Sequence, residues 1–207
     1  IGFKDSGGVN KPASARIKIS TTGAIYLQCG SIEIGQGITT ALSAITAEIL
    51  NAPAERVHYP DVDTDHTPFD QGTNASSGIV VMGQAVARAA NEVKARVLEF
   101  AAGQLDCDVS ELTLDDWNIR RGNESHPLNL MIMRTYGGTG FEFTGEGYHK
   151  AEMDHEAPLE TRCVAWEYGW GAAEVEVDEQ TGLIKVLQLV VSGDAGRAIN
   201  PAVCRGQ

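Results

Sequence analysis

Three short segments combine residue types and spacings that could do chemistry. The first, Gly35-Gln36-Gly37, lies where the strand-like run Gly30–Ile34 gives way to a helical pattern starting at Ile38. Backbone N–H groups at a helix start, reinforced by the positive end of the helix dipole, can cradle an anion or a phosphate. A plain Gly-rich strand-to-helix turn has the same composition. Neither a Gly-x-Gly-x-x-Gly motif nor a Walker lysine is present to decide between the two. The second segment, Gln71-Gly72-Thr73-Asn74-Ala75-Ser76-Ser77-Gly78, leads into a long helical pattern, with Ser76 or Ser77 suited to its N-cap. Hydroxyls and N–H groups at such a start bind phosphate as readily as they cap. The third, Asp194-Ala195-Gly196-Arg197-Ala198-Ile199-Asn200-Pro201, is a compact turn after an apolar strand, and ordinary turn chemistry accounts for it equally well.

Other chemistries find little support. Cys29, Cys107, Cys163 and Cys204 are widely spaced, with no Cys-x-x-Cys pair, and read as buried thiols in a reducing compartment rather than zinc or iron–sulfur ligands. His58, His66, His126, His149 and His155 are equally dispersed. The carboxylates Asp61, Asp63, Asp65 and Asp70 lack the Gly and closing Glu of an EF-hand, so they read as a solvated or capping loop. Ser31, Ser43 and Ser110 have no Gly-x-Ser-x-Gly context.

The elements that must position these segments follow from periodicity. Ala15–Ser20 alternates apolar with polar, Thr21-Thr22-Gly23 turns, and Ala24–Gly30 resumes, which predicts a β-hairpin. Ala173–Asp178, a turn at Glu179–Gly182, and Leu183–Val191 repeat that outline and hint at a duplicated strand-turn-strand unit. Ile38, Leu42, Ile45 and Ile49 recur at helical spacing before Asn51 and Pro53 stop them. Val86, Ala90, Val93, Val97 and Phe100 form the stripe of a longer helix over Met82–Leu105. Leu112–Leu114 and Trp117–Arg120 read as short strands, Leu128–Arg134 as a short helix, and Gly137–Pro158 as a long irregular connection. Strands and helices mix without βαβ regularity, which predicts an α+β fold: a mixed β-sheet of hairpins with helices packed on one face.

Composition bounds the function. The 207 residues carry 16 Lys+Arg against 28 Asp+Glu, a formal charge of −12, which excludes a general nucleic-acid binder. Hydrophobic residues at 43% and charged residues at 21% match a chain that can bury a core. No run approaches the roughly 20 apolar residues of a membrane helix, and the first residues, Ile1-Gly2-Phe3-Lys4-Asp5, are not a signal peptide. A soluble protein without membrane partners is expected. The chain starts at Ile1 rather than Met and stops at Arg205-Gly206-Gln207, so both ends look cut.

Taken in order, the segments resemble a family. The run Glu33-Ile34-Gly35-Gln36-Gly37-Ile38-Thr39-Thr40 is followed by Ala47-Glu48-Ile49-Leu50-x-x-Pro53-x-x-Arg56-Val57, then by Asp63-Thr64-Asp65-x-x-Pro68 and Gly72-Thr73-x-Ala75-Ser76. Gly171–Asp178 with Thr181-Gly182, and Asp194-x-Gly196-Arg197-x-Ile199-Asn200-Pro201-x-x-x-x-Gly206-Gln207, complete the set. These motifs resemble the molybdopterin-binding large subunit of the molybdenum hydroxylases, the xanthine dehydrogenase and aldehyde oxidase family. The match is colinear from about Gly30 to Gln207, and residues 1–207 are expected to be part of that subunit's molybdopterin-binding domain, with subdomains at about 1–106 and 107–207.

The resemblance implies cofactor contacts at Gly35, Gln36 and Gly37 in the first loop and at Thr73, Asn74, Ala75, Ser76 and Ser77 in the second. Ala75 would stand beside the molybdenum, with no direct metal ligand from this chain, and Gln207 would hydrogen-bond the pterin. Relatives often carry Arg where this chain has Ser77. The implied cofactor is molybdopterin with molybdenum, in its cytosine dinucleotide form. Iron–sulfur clusters and FAD are expected on other domains or subunits, which with the remainder of the large subunit are the expected partners.

The implied reaction is oxidative hydroxylation of an aldehyde or N-heterocycle with water as oxygen source. The family's catalytic Glu, in a Gly-Glu-Pro-type motif, falls beyond Gln207, so this chain is expected to hold no catalytic residue and to be inactive alone. A cytoplasmic location is the simplest expectation. A non-catalytic scaffold that retains the fold without the cofactor is the alternative.

Overall fold

The computed structural model describes residues 2–8, 10–153 and 163–206. At its centre the alternation around Ala15–Ser20 becomes strand β2 (Pro12–Ser20), which buries Ala13, Ala15, Ile17 and Ile19 on one face. The turn at Thr21–Gly23 returns the chain as β3 (Ile25–Cys29), antiparallel to β2, with Ile25, Leu27 and Cys29 buried on the same face. β4 (Val57–His58) joins β3 in parallel and β8 (Glu142–Lys150) joins β2 antiparallel, giving the order β4-β3-β2-β8.

β8 corrects the expectation of an irregular connection over Gly137–Pro158, although residues 154–162 of that stretch lie outside the described residues. Its glycines conceal the strand, because glycine weakens extended structure and adds nothing to the alternation. Here they serve close packing. Gly145 stands opposite Ile17 and Gly147 opposite Ala15, both on the face covered by α2 (Gly83–Leu105). A Cβ on Gly147 would fall 1.9 Å from the Ala85 carbonyl oxygen, and one on Gly145 would fall 2.5 Å from that of Ala89. The strand therefore lies directly against the helix backbone.

α1 (Ile38–Leu50) spans the predicted residues and packs on α2. Its buried Leu42 and Leu50 join Val86, Val93 and Val97 of α2 and Ile17 and Leu27 of the sheet in one core. Each such side chain contributes about 1.5–3 kcal/mol by leaving water. α1 ends at Asn51, which adopts the left-handed conformation (φ 49°) that asparagine tolerates best among non-glycine residues. One π-helical turn, Gly78–Met82, precedes α2, so the long helix proper begins at Gly83 and not at Met82.

β5 (Leu112–Asp115), β6 (Asn118–Arg121) and β7 (Glu124–Pro127) form a separate antiparallel meander that runs straight into α3 (Leu128–Tyr136). Positive φ at both Asp116 (39°) and Trp117 (68°) marks the tight β5–β6 turn. β7 has too little apolar character to be legible in the sequence. The third sheet, β1-β9-β10, joins β1 (Gly2–Ser6) to the hairpin of β9 (Ala165–Val177) and β10 (Ile184–Asp194). The two hairpins of similar outline thus lie in different sheets. α4 (Pro201–Gly206) closes the described chain.

Candidate functional site

The first candidate loop leaves the sheet at Cys29 rather than continuing as a strand to Ile34. Gly30 packs too tightly for any side chain, since its Cβ would lie 2.7 Å from that of Asp70. Beyond it the chain folds back on Glu33. One oxygen of the Glu33 carboxylate accepts the amides of Gly35 at 2.9 Å and Gly37 at 2.8 Å, and the other accepts the amide and hydroxyl of Thr39 at 3.3 and 3.1 Å. Gly35 (φ 98°) and Gly37 (φ 76°) supply the left-handed turns that aim those amides inward.

Glu33 therefore corrects the reading of this loop as an open anion cradle. The helix start does bind an anion, and the anion is the chain's own carboxylate. The Gly37 amide is the largest of the hydrogen bonds that hold the Glu33 carboxyl below its usual range, and the Thr39 and Gly35 groups add to it. Gln36 is committed locally as well: its Oε1 accepts the Ile34 amide at 2.7 Å and its Nε2 donates to the Ile32 carbonyl at 3.1 Å.

The second loop is held from beneath by Asp70, Ser31 and Tyr59. Asp70 accepts the Ser31 hydroxyl at 2.6 Å and the Gly72 amide at 3.1 Å, and Tyr59 donates to the Ser31 carbonyl at 2.6 Å. Burial, followed by the neighbouring Cys29, raises the Tyr59 hydroxyl far above its usual range. Asp63 accepts the Asp65 amide at 2.9 Å, which agrees with a capping role for this acidic loop.

Thr73, Asn74, Ala75 and Ser76 are exposed, and Ala75 (φ 46°) and Ser76 (φ 54°) both hold the left-handed conformation. Ser77 is fully buried, and its hydroxyl donates to the Asn74 carbonyl at 2.7 Å. Ser77 occupies the capping position without a side-chain bond to the helix amides, so the expected N-cap takes a different form. The Ala75 carbonyl receives the Gly7 amide at 2.7 Å, and a Cβ on Gly7 would lie 2.4 Å from that of Ala75.

The structure brings the three segments together. The π-helical turn ahead of α2 starts beside α1: a Cβ on Gly78 would sit 3.5 Å from Ile38 Cδ1 and 3.6 Å from Thr73 Oγ1. α4 reaches the first loop, where a Cβ on Gly37 would sit 3.5 Å from a methyl of Val203. The Asn200 side chain accepts the Ala202 and Val203 amides and so caps α4. The first loop thus borders α4, and the second loop borders the start of α1; Ile32, Ile34 and Phe69, close to these loops in sequence, are exposed. Gln207 lies outside the described residues. Among the described residues no group of three or more His, Cys, Asp or Glu side chains is placed to hold a metal ion.

A family model for the molybdopterin cofactor-binding domain matches residues 1–207. The chain belongs to that family. Among its relatives, a probable hypoxanthine oxidase, XdhD, of Escherichia coli K12 is 30% identical over 197 residues, covering 94% of this chain and 20% of its own. The carbon monoxide dehydrogenase large chain of Hydrogenophaga pseudoflava is 29% identical over 210 residues, covering 97% and 24%. Among solved structures, quinoline 2-oxidoreductase from Pseudomonas putida 86 superposes with a TM-score of 0.79 at 21% identity, covering 99% of this chain and 27% of that one. Carbon monoxide dehydrogenase from Oligotropha carboxidovorans gives 0.77 at 23%, covering 99% and 26%. These two likenesses establish the fold, an α+β molybdenum-cofactor-binding domain. The chain spans about a fifth to a quarter of the length of the relatives it matches.

Within this molybdopterin-binding domain, sequence reasoning missed Glu33 as a cap and the Gly7-Gly8 turn beneath the second loop. Glu33 stands four residues before a helix-opening glycine, a spacing that a surface carboxylate shares with a cap. The pairing of Gly7 with Ala75 spans most of the first half of the chain and leaves no local trace.

Proposed function

We propose that this chain forms one wall of a molybdopterin site in a molybdenum hydroxylase large subunit, with Gly35–Gly37, Thr73–Ser76 and Gln207 turned toward the cofactor and Ala75 beside the molybdenum. The observation that carries the reading is the convergence of segments far apart in sequence around the start of α1. Gly37 stands beside Val203 of α4, and Gly78 stands between Thr73 of the second loop and Ile38 at the start of α1.

The residues present fit such a group. An extended, polar, polyanionic cofactor is held by amides and hydroxyls spread along loops, and these loops offer those rather than a cluster of metal ligands. Glu33 occupies the amides at the start of α1, so the cofactor's anionic end would be met at the exposed Thr73–Ser76 loop, where Ala75 and Ser76 are left-handed. When bound, the cofactor supplies two-electron redox chemistry for hydroxylating an aldehyde or N-heterocyclic carbon with an oxygen derived from water. The chain's own part is to bind and orient: glycines at 35 and 37 let the backbone approach closely, and Thr73 and Ser76 bring hydroxyls.

The cytosine dinucleotide form, a catalytic Glu outside this chain, and iron–sulfur and FAD partners belong to this same reading. So does a cytoplasmic site of assembly; no helix among the described residues is long and apolar enough to cross a membrane. The test is molybdenum and pterin analysis of the complete large subunit expressed with its partners. Stoichiometric metal and pterin, released as the cytosine dinucleotide, are expected. A well-folded complex from a pterin-competent host that contains neither would favour the scaffold reading and overturn this one.

A further inference from the structure

Beneath the second loop lies a lysine that neither the family resemblance nor the cofactor reading uses. Lys11 is only 4% exposed. A buried ammonium is strongly disfavoured unless its donors are satisfied, so its partners report why it is there. Its Nζ donates to the Ser77 hydroxyl at 2.7 Å and also to the Gly72 carbonyl. These acceptors are the two ends of one loop. Between them stand Ala75 and Ser76, consecutive non-glycine residues in the left-handed conformation, a pairing that persists only where the surroundings hold it.

Two further bonds complete the clamp: the Ser77 hydroxyl donates to the Asn74 carbonyl, and the Gly7 amide donates to the Ala75 carbonyl. Asp70 supplies the negative charge that faces the ammonium and also receives the Gly72 amide. Burial lowers the Lys11 ammonium from its usual range and Asp70 works against that fall.

We propose that Lys11 is the positioning residue of the Gly72–Ser77 loop: its ammonium ties the loop's two ends together and fixes the strained backbone that presents Thr73–Ser76 to the cofactor. Lys11 does not touch the cofactor. This inference rests on the cofactor reading for its consequence, but the clamp itself is a property of the protein alone.

The experiment uses the complete large subunit assembled with its partners, as wild type, Lys11→Met and Ser77→Ala. Amide hydrogen exchange is measured on protein made in a host unable to synthesise the pterin, and molybdenum and pterin content on protein from a competent host. Lys11→Met should speed exchange of the 72–77 amides on the order of tenfold while the amides of β2 and α2 keep their protection. Pterin retained after gel filtration should fall roughly fivefold, and Ser77→Ala should show the same pattern at roughly threefold.

Unchanged 72–77 exchange in both variants overturns the proposal. Exchange rising equally across β2 and α2 overturns it too, because that marks a general packing role. If Lys11→Met does not fold, Ser77→Ala decides by the same criterion. A wild-type complex without pterin sinks the cofactor reading alone, since the exchange measurement does not depend on it.

Discussion

The carboxylate of Glu33 accepts the amide of Gly37 at 2.8 Å and, two residues on in the first turn of α1, the amide of Thr39 at 3.3 Å. A helix start that looks vacant in the sequence is thus closed by a side chain four positions upstream. Because the amides favour the charged form, Glu33 has a folded-state value below the ordinary 4.5. The stabilisation it lends the start of α1 is therefore complete above the unfolded-state value and is lost as pH falls through the lower folded one. A carboxyl-carbon NMR titration should place the Glu33 midpoint below 4.5. A midpoint at or above the ordinary value would show that the cap does not form in solution.

The approach of β8 to α2 makes an opposite pair of glycine predictions. Gly147→Ala forces a methyl to within 1.9 Å of the Ala85 carbonyl oxygen, where backbone on both sides must move, and should cost about 3 kcal/mol. Gly103 lies inside α2 with nothing within 4 Å of its would-be Cβ, so Gly103→Ala should stabilise by about 0.5–1 kcal/mol. Urea unfolding midpoints of the two variants should move in opposite directions from wild type. A neutral Gly147→Ala would mean that helix and strand lie farther apart than described.

The same glycines explain what the sequence hides. α1 and the β2–β3 hairpin were legible because Leu42, Ile17 and Leu27 sit in unbroken periodic runs that local physics can read. β8 was not, because Gly145 and Gly147 trade strand propensity for close contact with a helix more than fifty residues away. At the candidate site, Gly35–Gly37 and Thr73–Ser76 were singled out through their motifs. Glu33 was visible beside the first of these but carried no signal distinguishing a cap from a surface carboxylate. The Gly7–Ala75 contact arises only on folding, so no window of sequence contains it.

Cysteine reactivity should sort by burial. Cys204 is exposed and Cys107 half-buried, while Cys29 and Cys163 are buried. Burial pushes the Cys29 thiol up, and its Sγ sits 2.9 Å from the Tyr59 hydroxyl, so little thiolate forms and little reagent reaches it. Timed labelling with a maleimide, mapped by mass spectrometry, should modify Cys204 first, Cys107 more slowly, and Cys29 only with unfolding. Early labelling of Cys29 would contradict the closed packing between β3 and the Tyr59 segment.

The β9–β10 hairpin makes the strongest claim about the protein's surroundings. Leu189 is 65% exposed and Val191 73% on one face of β10, and Val190 on the opposite face is 53% exposed. A sheet that is apolar on both faces and bare on both is unstable against association, since monomeric surfaces rarely carry apolar patches of this extent. Alone, the 207-residue chain should therefore self-associate, and sedimentation velocity should show mass-action growth in size between micromolar and higher concentrations. The double variant Leu189→Glu with Val191→Glu puts two charges on one face and should shift the distribution toward the monomer without unfolding the β2-centred core, which shares no residue with that face. A sharp monomer boundary for the wild-type chain at every concentration would show that the hairpin needs no partner.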